Sequence, residues 1–370
     1  MSPDVLVIGS GIIGCAVARE LAGRGASVAV IDDRPIAMGA TQASAGVLAP
    51  YLEMRDSTPL LGPAVRSLDL YDQFISRVSE ESGASIAYRR TGTIDLALND
   101  EELQDLAITA RVISRLGVEA RLLDGPSARA EEPLANPGVV GGLLVEAHGF
   151  VAPTALTHAL AAAARRNGAR FLEPARVQSI APRGADSVVT VDDASIECGS
   201  VVLAAGSWSG QIGVNGASAT LPVRPVRGQL LSLMWPGSRL RRVTWSSRCY
   251  LVPWDDGTVL LGATVEEAGF DERATVAGVN GLLEAARRIL PDAESAGFNV
   301  ARVGLRPATS DGLPIIGRSR VHPSLVYATG HYRNGILLAP LTAAAVADLV
   351  LENRVDPILQ PFAPERFGNL

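Results

Sequence analysis

The chain has 370 residues, 47% of them hydrophobic and only 19% charged, which marks a folded protein long enough for two cores. Its net charge of −6 argues against a nucleic-acid binder, since that role needs basic residues gathered on one face to neutralise phosphates. All 33 basic residues are arginine, so Schiff-base chemistry, a pyridoxal phosphate anchor and a phosphate-binding P-loop are excluded, each being built on a lysine amine.

Residues 4–8, DVLVI, form a continuous apolar run, the pattern of a parallel strand covered on both faces. They lead directly into Gly9-Ser10-Gly11-Ile12-Ile13-Gly14. Residues 15–23 then carry Ala, Val and Leu at helical spacing, and residues 27–32 read as a second buried strand. The result is a strand-helix-strand unit. Residues 1–18 lack the basic start of a secretory signal, and no apolar run reaches the roughly 18 residues a membrane span requires. Cys15, Cys198 and Cys249 are odd in number and far apart, as suits a reducing compartment. A cytoplasmic protein with no stable membrane insertion is expected.

The small-residue loop 39–46 is too rich in Gly, Ala and hydroxyl side chains for a solvated linker, and implies close approach of something to its backbone. Residues 60–82 read as one amphipathic helix and 101–116 as another, with a hairpin across 85–98. Residues 153–167 form a helix with proline in its first turn, followed by strands at 170–172, 177–180 and 188–191. Residues 201–206 form a buried strand ending in glycine, while 224–234, 249–253 and 258–263 alternate like strands of an antiparallel sheet. A strand at 324–330 and a long helix at 335–351 complete the pattern. One domain is therefore assembled from segments that are not adjacent in the chain.

The glycine fingerprint carries the clearest chemistry. Gly9 permits a tight turn, Gly11 lets the backbone meet a pyrophosphate, and Gly14 allows helix and strand to pack closely. Asp32, at the end of the second strand, can accept from ribose hydroxyls, and Asp33 beside it disfavours a ribose phosphate. Four histidines, His148, His158, His322 and His331, show no metal-ligand spacing, so no metal site is expected. Gly206-Ser207-Trp208-Ser209-Gly210 has tryptophan where a nucleophile elbow needs serine.

The segments GSGIIG, ATQASAGVL, VVLAAGSWSG, CYLVPW, GLRPATSDGLPIIG and GHYRNGILLAP, in this order along nearly the whole chain, resemble the FAD-dependent D-amino-acid oxidase family. Within it they are most similar to the glycine oxidase branch, which feeds thiazole formation in thiamine biosynthesis. The resemblance implies a two-domain α/β (α+β) fold. A Rossmann-like FAD-binding domain of the glutathione-reductase type would span 1–84, 145–215 and 300–370, and an antiparallel β-sheet substrate domain would span 85–144 and 216–299. It further implies that Ile12, Ile13, Asp32, Asp33, Ala40, Thr41, Ala45, Gly46, Val47, Val177 and Gly206 contact noncovalent FAD. His331, Tyr332, Arg333, Asn334, Gly335, Ile336 and Leu337 would lie along the flavin.

For the substrate, the resemblance makes Arg306 the main carboxylate clamp, with Arg333 and Tyr250 beside it, and a planar guanidinium does hold a carboxylate bidentately. The implied reaction is oxidation of glycine, sarcosine or D-alanine to the 2-oxo acid, ammonia and hydrogen peroxide, with oxygen as acceptor and a homo-oligomeric enzyme. Val47 stands where close relatives often carry methionine, and Arg248 precedes Cys249-Tyr250; both bear on substrate size and charge. The sarcosine-oxidising branch is less similar, for it attaches flavin through a late cysteine and activates oxygen with lysine, and neither exists here. A D-amino-acid or sarcosine oxidase or dehydrogenase stays open, as does a dinucleotide-binding sensor without activity. A flavin enzyme acting on tRNA is disfavoured by the acidic balance.

Overall fold

The computed structural model describes residues 2–53, 58–215 and 220–370. Its first strand, β1 (Val5–Ile8), is buried on both sides; α1 (Ile12–Gly23) follows, and β2 (Val28–Ile31) returns parallel to β1. These strands lie in a six-stranded sheet with the order Ile315–Arg318, Leu325–Thr329, Ser200–Leu203, β1, β2, Arg170–Leu172. All pairings are parallel except that of the edge strand Ile315–Arg318.

Alternation along β1 divides the interior. Val5 and Val7 face a core shared with α1, the helix Pro153–Arg166 and the C-terminal helix Gly335–Leu351. Leu6 and Ile8 face the opposite side, where Ile180, Val189 and Val191 of the hairpin formed by Val177–Arg183 and Asp186–Val191 cover them. A sheet covered on both faces requires continuous apolar strands, which is why the sequence shows them.

The second unit is an eight-stranded sheet ordered Gly297–Ala308, Arg224–Met234, Thr258–Gly262, Tyr250–Pro253, Val243–Trp245, Thr93–Ala97, Gly141–Val145, Arg121–Asp124. Only the Val243–Trp245 and Thr93–Ala97 pair runs parallel. The helix Val276–Ile289 buries Leu282, Ala285, Ala286 and Ile289 on this sheet. The expected boundary at residue 300 falls inside the strand Gly297–Ala308, and the one at 216 falls on residues outside those described.

Two local expectations are corrected. Residues 85–98 do not form a hairpin: Tyr88–Arg89 pairs with Gly149–Val151, whereas Thr93–Ala97 pairs with Gly141–Val145 and Val243–Trp245. Every residue of Thr93–Ala97 is buried, so this strand needs neighbours on both edges, which a two-residue partner cannot supply. Residues 60–82 form two helices, Leu61–Asp69 and Tyr71–Ser82, that turn at Leu70 because the first packs on the C-terminal helix and the second on Pro153–Arg166. No helix of the described residues is long and apolar enough to cross a membrane.

Candidate functional site

A cavity of about 770 Å³ opens beyond the carboxyl ends of the parallel strands, where an open α/β sheet places its ligands, and the eight-stranded sheet forms its far wall. At one end lies the fingerprint turn. A side chain on Gly9, whose φ is +109°, would put its Cβ 2.4 Å from the Ala204 carbonyl oxygen, and one on Gly14 would reach 1.8 Å from that of Gly9. Those two glycines are demanded by backbone packing. Gly11 is different: a Cβ there meets only Thr41 Oγ1 at 3.6 Å, so what its missing side chain leaves open is cavity.

Gly11 caps α1 without a side-chain hydrogen bond, and no acidic residue occupies the first turn. Ile12 N–H donates to Thr41 Oγ1 at 3.2 Å, tying the loop 39–46 to the helix. The C-terminal helix meets the same cavity through Gly335 and Ile336, also with no acidic residue in its first turn. Two helix N-termini therefore present partial positive charge to one space.

Asp32 closes the fingerprint end. Its Oδ2 accepts from Ser10 N–H at 2.6 Å and Ser10 Oγ at 2.9 Å, and its Oδ1 accepts from Arg34 N–H at 2.9 Å. Burial pushes its carboxyl above the usual range, against the pull of these hydrogen bonds. Asp33 is exposed on the rim. Arg34 lies over the Trp208 ring at 4.1 Å and pairs with Glu272 at 2.8 Å.

The opposite end is built from the large sheet. Arg306, on the strand Gly297–Ala308, donates from Nη1 to the carbonyls of Thr264 at 2.9 Å and Arg227 at 3.3 Å. Its guanidinium fits only because residue 228 is glycine, where a Cβ would lie 2.3 Å from Nη1. Tyr250 is seated in the same way, since a Cβ on Gly262 would come within 2.6 Å of its ring and hydroxyl, and its ring leans on Trp245 at 5.1 Å. Just past Arg306, the Pro307 carbonyl accepts from Tyr332 N–H at 2.9 Å, joining this wall to the turn that opens the C-terminal helix. Tyr332 holds a left-handed φ of +50°, and the exposed Arg333 stacks over its ring at 4.9 Å.

Most residues singled out in the sequence share this cavity. Gly9, Gly11, Ile12, Ile13, Asp32 and Asp33 line one end; Ala40, Thr41, Ala45, Gly46, Val47, Val177 and Gly206 line its sides. His331, Tyr332, Arg333, Gly335, Ile336, Tyr250 and Arg306 complete the wall. Three do not reach it. Gly14 is spent on packing, Asn334 is 6% exposed beneath the helix turn, and Leu337 is 3% exposed within the core. His331 is buried and neutral, its Nε2 3.1 Å from Thr342 Oγ1, with burial pushing it down to about 3.

Sequence reasoning passed over Gly228, Gly262, Trp245 and Arg34. The first two carried a signal, for glycine inside or closing a strand marks close approach of another group.

Residues 4–349 match the family model described as FAD dependent oxidoreductase, DAO. The chain belongs to this family. It is an FAD-dependent oxidoreductase of the amino-acid-oxidase type, and FAD is its cofactor. It is 34% identical to the glycine oxidase of Geobacillus kaustophilus over 98% of this chain and 97% of that one, and a crystal structure of that enzyme superposes with a TM-score of 0.94 over 98% of both chains. It is 35% identical over 98% of its length to a bifunctional protein ThiO/ThiG of Nostoc sp., covering 55% of that longer protein. The iminodiacetate oxidase of Chelativorans sp. BNC1 is 27% identical with a TM-score of 0.87, over 98% of this chain and 100% of that one.

The cavity suits FAD on its own terms. Gly11 leaves open the place where a pyrophosphate needs contact with the backbone, and two helix ends without an acidic residue in their first turns suit an anion. Ile12, Ile13, Asp32, Thr41 and Val177 would hold the nucleotide half and His331, Tyr332, Arg333, Gly335 and Ile336 the flavin edge.

Proposed function

We propose that this protein catalyses FAD-dependent oxidative deamination of glycine and of small amines such as sarcosine or D-alanine. The products are the 2-oxo acid, hydrogen peroxide and ammonia, or methylamine where the substrate is sarcosine, and the enzyme would supply the imine of glycine to thiazole formation in thiamine synthesis. Bound FAD supplies the electron sink, accepting two electrons and passing them to oxygen. The protein's contribution is orientation.

One observation carries the reading: a single cavity joins the nucleotide-binding turn to a seated arginine–tyrosine pair, and Gly228 and Gly262 make room for both side chains. Arg306 would hold the substrate carboxylate bidentately while Tyr250 donates to it. The carbonyls of Thr264 and Arg227 fix the guanidinium before substrate arrives, so little ordering is left for binding. Arg333 would add charge at the entrance. The six-stranded unit would serve FAD and the eight-stranded sheet the substrate. FAD would be held without a covalent bond: Cys249 lies at the cavity edge, but burial pushes its thiol up to about 11, which keeps it protonated and inert.

The deciding experiment is anaerobic addition of glycine to the purified holoprotein while following the visible flavin band. Bleaching that reverses when air is admitted is the expected result. A bound flavin that responds to none of glycine, sarcosine and D-alanine would end the proposal.

A further inference from the structure

Charge is unevenly spread along the cavity. At the fingerprint end Asp32 and Asp33 stand with Arg34 and Arg176, two of each sign. At the other end Arg248, Arg306 and Arg333 line the wall with no carboxylate among the described lining residues. One substrate carboxylate answers Arg306 and Tyr250, and leaves the guanidinium of Arg248 over.

Arg248 is the informative member. It sits in the turn between the strands Val243–Trp245 and Tyr250–Pro253, closed by Ser246 N–H donating to the Cys249 carbonyl at 2.9 Å. Its own N–H donates to Ser246 Oγ at 3.3 Å, which fixes its place two residues before Tyr250. Its side chain is exposed, lines the cavity and makes no ion pair with a described residue. The acid nearest in this turn's hydrogen bonding, Glu102, is engaged elsewhere: it accepts from Ser247 Oγ and Leu98 N–H, each at 2.8 Å.

We propose that the site selects small amino or imino diacids over neutral analogues of the same size, with Arg248 receiving the second anionic group. The inference rests on the amino-acid oxidation proposed above and narrows its substrate class. The covalent change is the same. For iminodiacetate, one C–H and the N–H give up two electrons and two protons, water cleaves the resulting C=N bond, and oxygen takes the electrons; glyoxylate, glycine and hydrogen peroxide result.

Because Arg248 is exposed, the gain is modest, about fivefold at low salt and shrinking as salt is added. Two readouts test it on holoenzyme. In the first, succinate and its neutral-ended analogue succinamate are titrated against the flavin spectrum. Succinate should bind about fivefold tighter, the difference should vanish in Arg248→Gln, and Arg248→Lys should restore part of it. In the second, kcat/KM is compared for D-aspartate against D-asparagine and for iminodiacetate against its monoamide, which separates a second anion on Cα from one on nitrogen. Preference for the diacid in either pair, lost in Arg248→Gln, supports the assignment.

Equal succinate and succinamate affinities, or a preference that survives Arg248→Gln, would overturn it. A flavin that no amino acid reduces would instead strike at the proposed oxidation, while the succinate comparison, which needs no turnover, would still decide the role of Arg248.

Discussion

Gly228 acts through the side chain it lacks. An added methyl would lie 2.3 Å from Arg306 Nη1, and the guanidinium, being the end of a flexible chain, is what moves. Gly228→Ala should therefore leave fold and FAD content intact while raising KM for glycine at least tenfold, in the direction of Arg306→Ala. Steady-state kinetics beside a flavin absorbance ratio checks this, and an unchanged KM would separate Arg306 from substrate binding. The sequence made Arg306 legible through its motif, whereas Gly228, a glycine inside a strand, signalled only that something approaches closely and not what, because that neighbour is 78 residues away.

Three histidines are buried and all are pushed down by burial, His322 among them, and the two with the largest shifts dominate the pH behaviour. Burial holds His148 and His331 down to about 3 from 6.5, with Arg90 adding to the effect at His148. The unfolded chain takes up these protons near pH 6.5 and the native protein only near pH 3, so stability falls as pH drops through that window. At pH 5 each histidine costs on the order of 2 kcal/mol. Tm at saturating FAD should fall steadily from pH 7 to pH 5; a flat profile would mean that both accept protons without unfolding.

Among the elements, the segment from Gly262 to Thr275 shows how a loop is made to hold a clamp. Gln229, fully buried, donates to Glu266 at 2.7 Å and to Thr275 Oγ1 at 2.9 Å, and accepts from Thr275 N–H at 2.9 Å. Arg227 donates from Nε to Glu266 at 3.0 Å. Burial opposes the Glu266 charge, yet hydrogen bonds from Thr264, Arg227 and Gln229 bring its carboxyl below the usual range. Thr264 is the residue whose carbonyl orients Arg306. Glu266 is thus a positioning residue, and Glu266→Gln should raise KM severalfold while kcat stays within twofold, with Glu266→Asp recovering part of the loss. Equal losses in both constants would indicate general damage to the sheet.

The sequence foretold little of this segment, since its order comes from polar side chains meeting across the sheet and not from periodicity. The helix Val276–Ile289 was passed over for a related reason: Gly278 and Gly281 interrupt its apolar stripe. By contrast, β1 and β2 were readable because each is apolar over its full length, and the C-terminal helix because only Thr342 and Asp348 interrupt its apolar run.

For the molecule as a whole, the order of motifs led to the expectation of a domain made from separated segments, and the six-stranded sheet does draw strands from distant parts of the chain, but the course of the strand Gly297–Ala308 through residue 300 did not show. Its first residues, Phe298 and Val300 among them, are exposed although apolar, so burial begins only past Val303 and gives no mark of where the strand starts. That strand carries Arg306 from the larger sheet to the door of the smaller one, and the Pro307–Tyr332 hydrogen bond fastens it there.

This fastening makes the site a gauge of fixed length. On the proposed reading the carboxylate would be held at one jaw and the reacting carbon presented at the other, and the hydrogen bond bracing the two would keep either from adjusting to a longer piece. Inserting a methylene between carboxylate and amine carbon, as in β-alanine, carries that carbon past its mark, and a misplacement of about 1 Å costs roughly a hundredfold in rate. β-Alanine should therefore bind nearly as well as glycine and be turned over about a hundredfold more slowly, so that the enzyme tells α- from β-amino acids by measuring them, with no contact devoted to refusing the longer one.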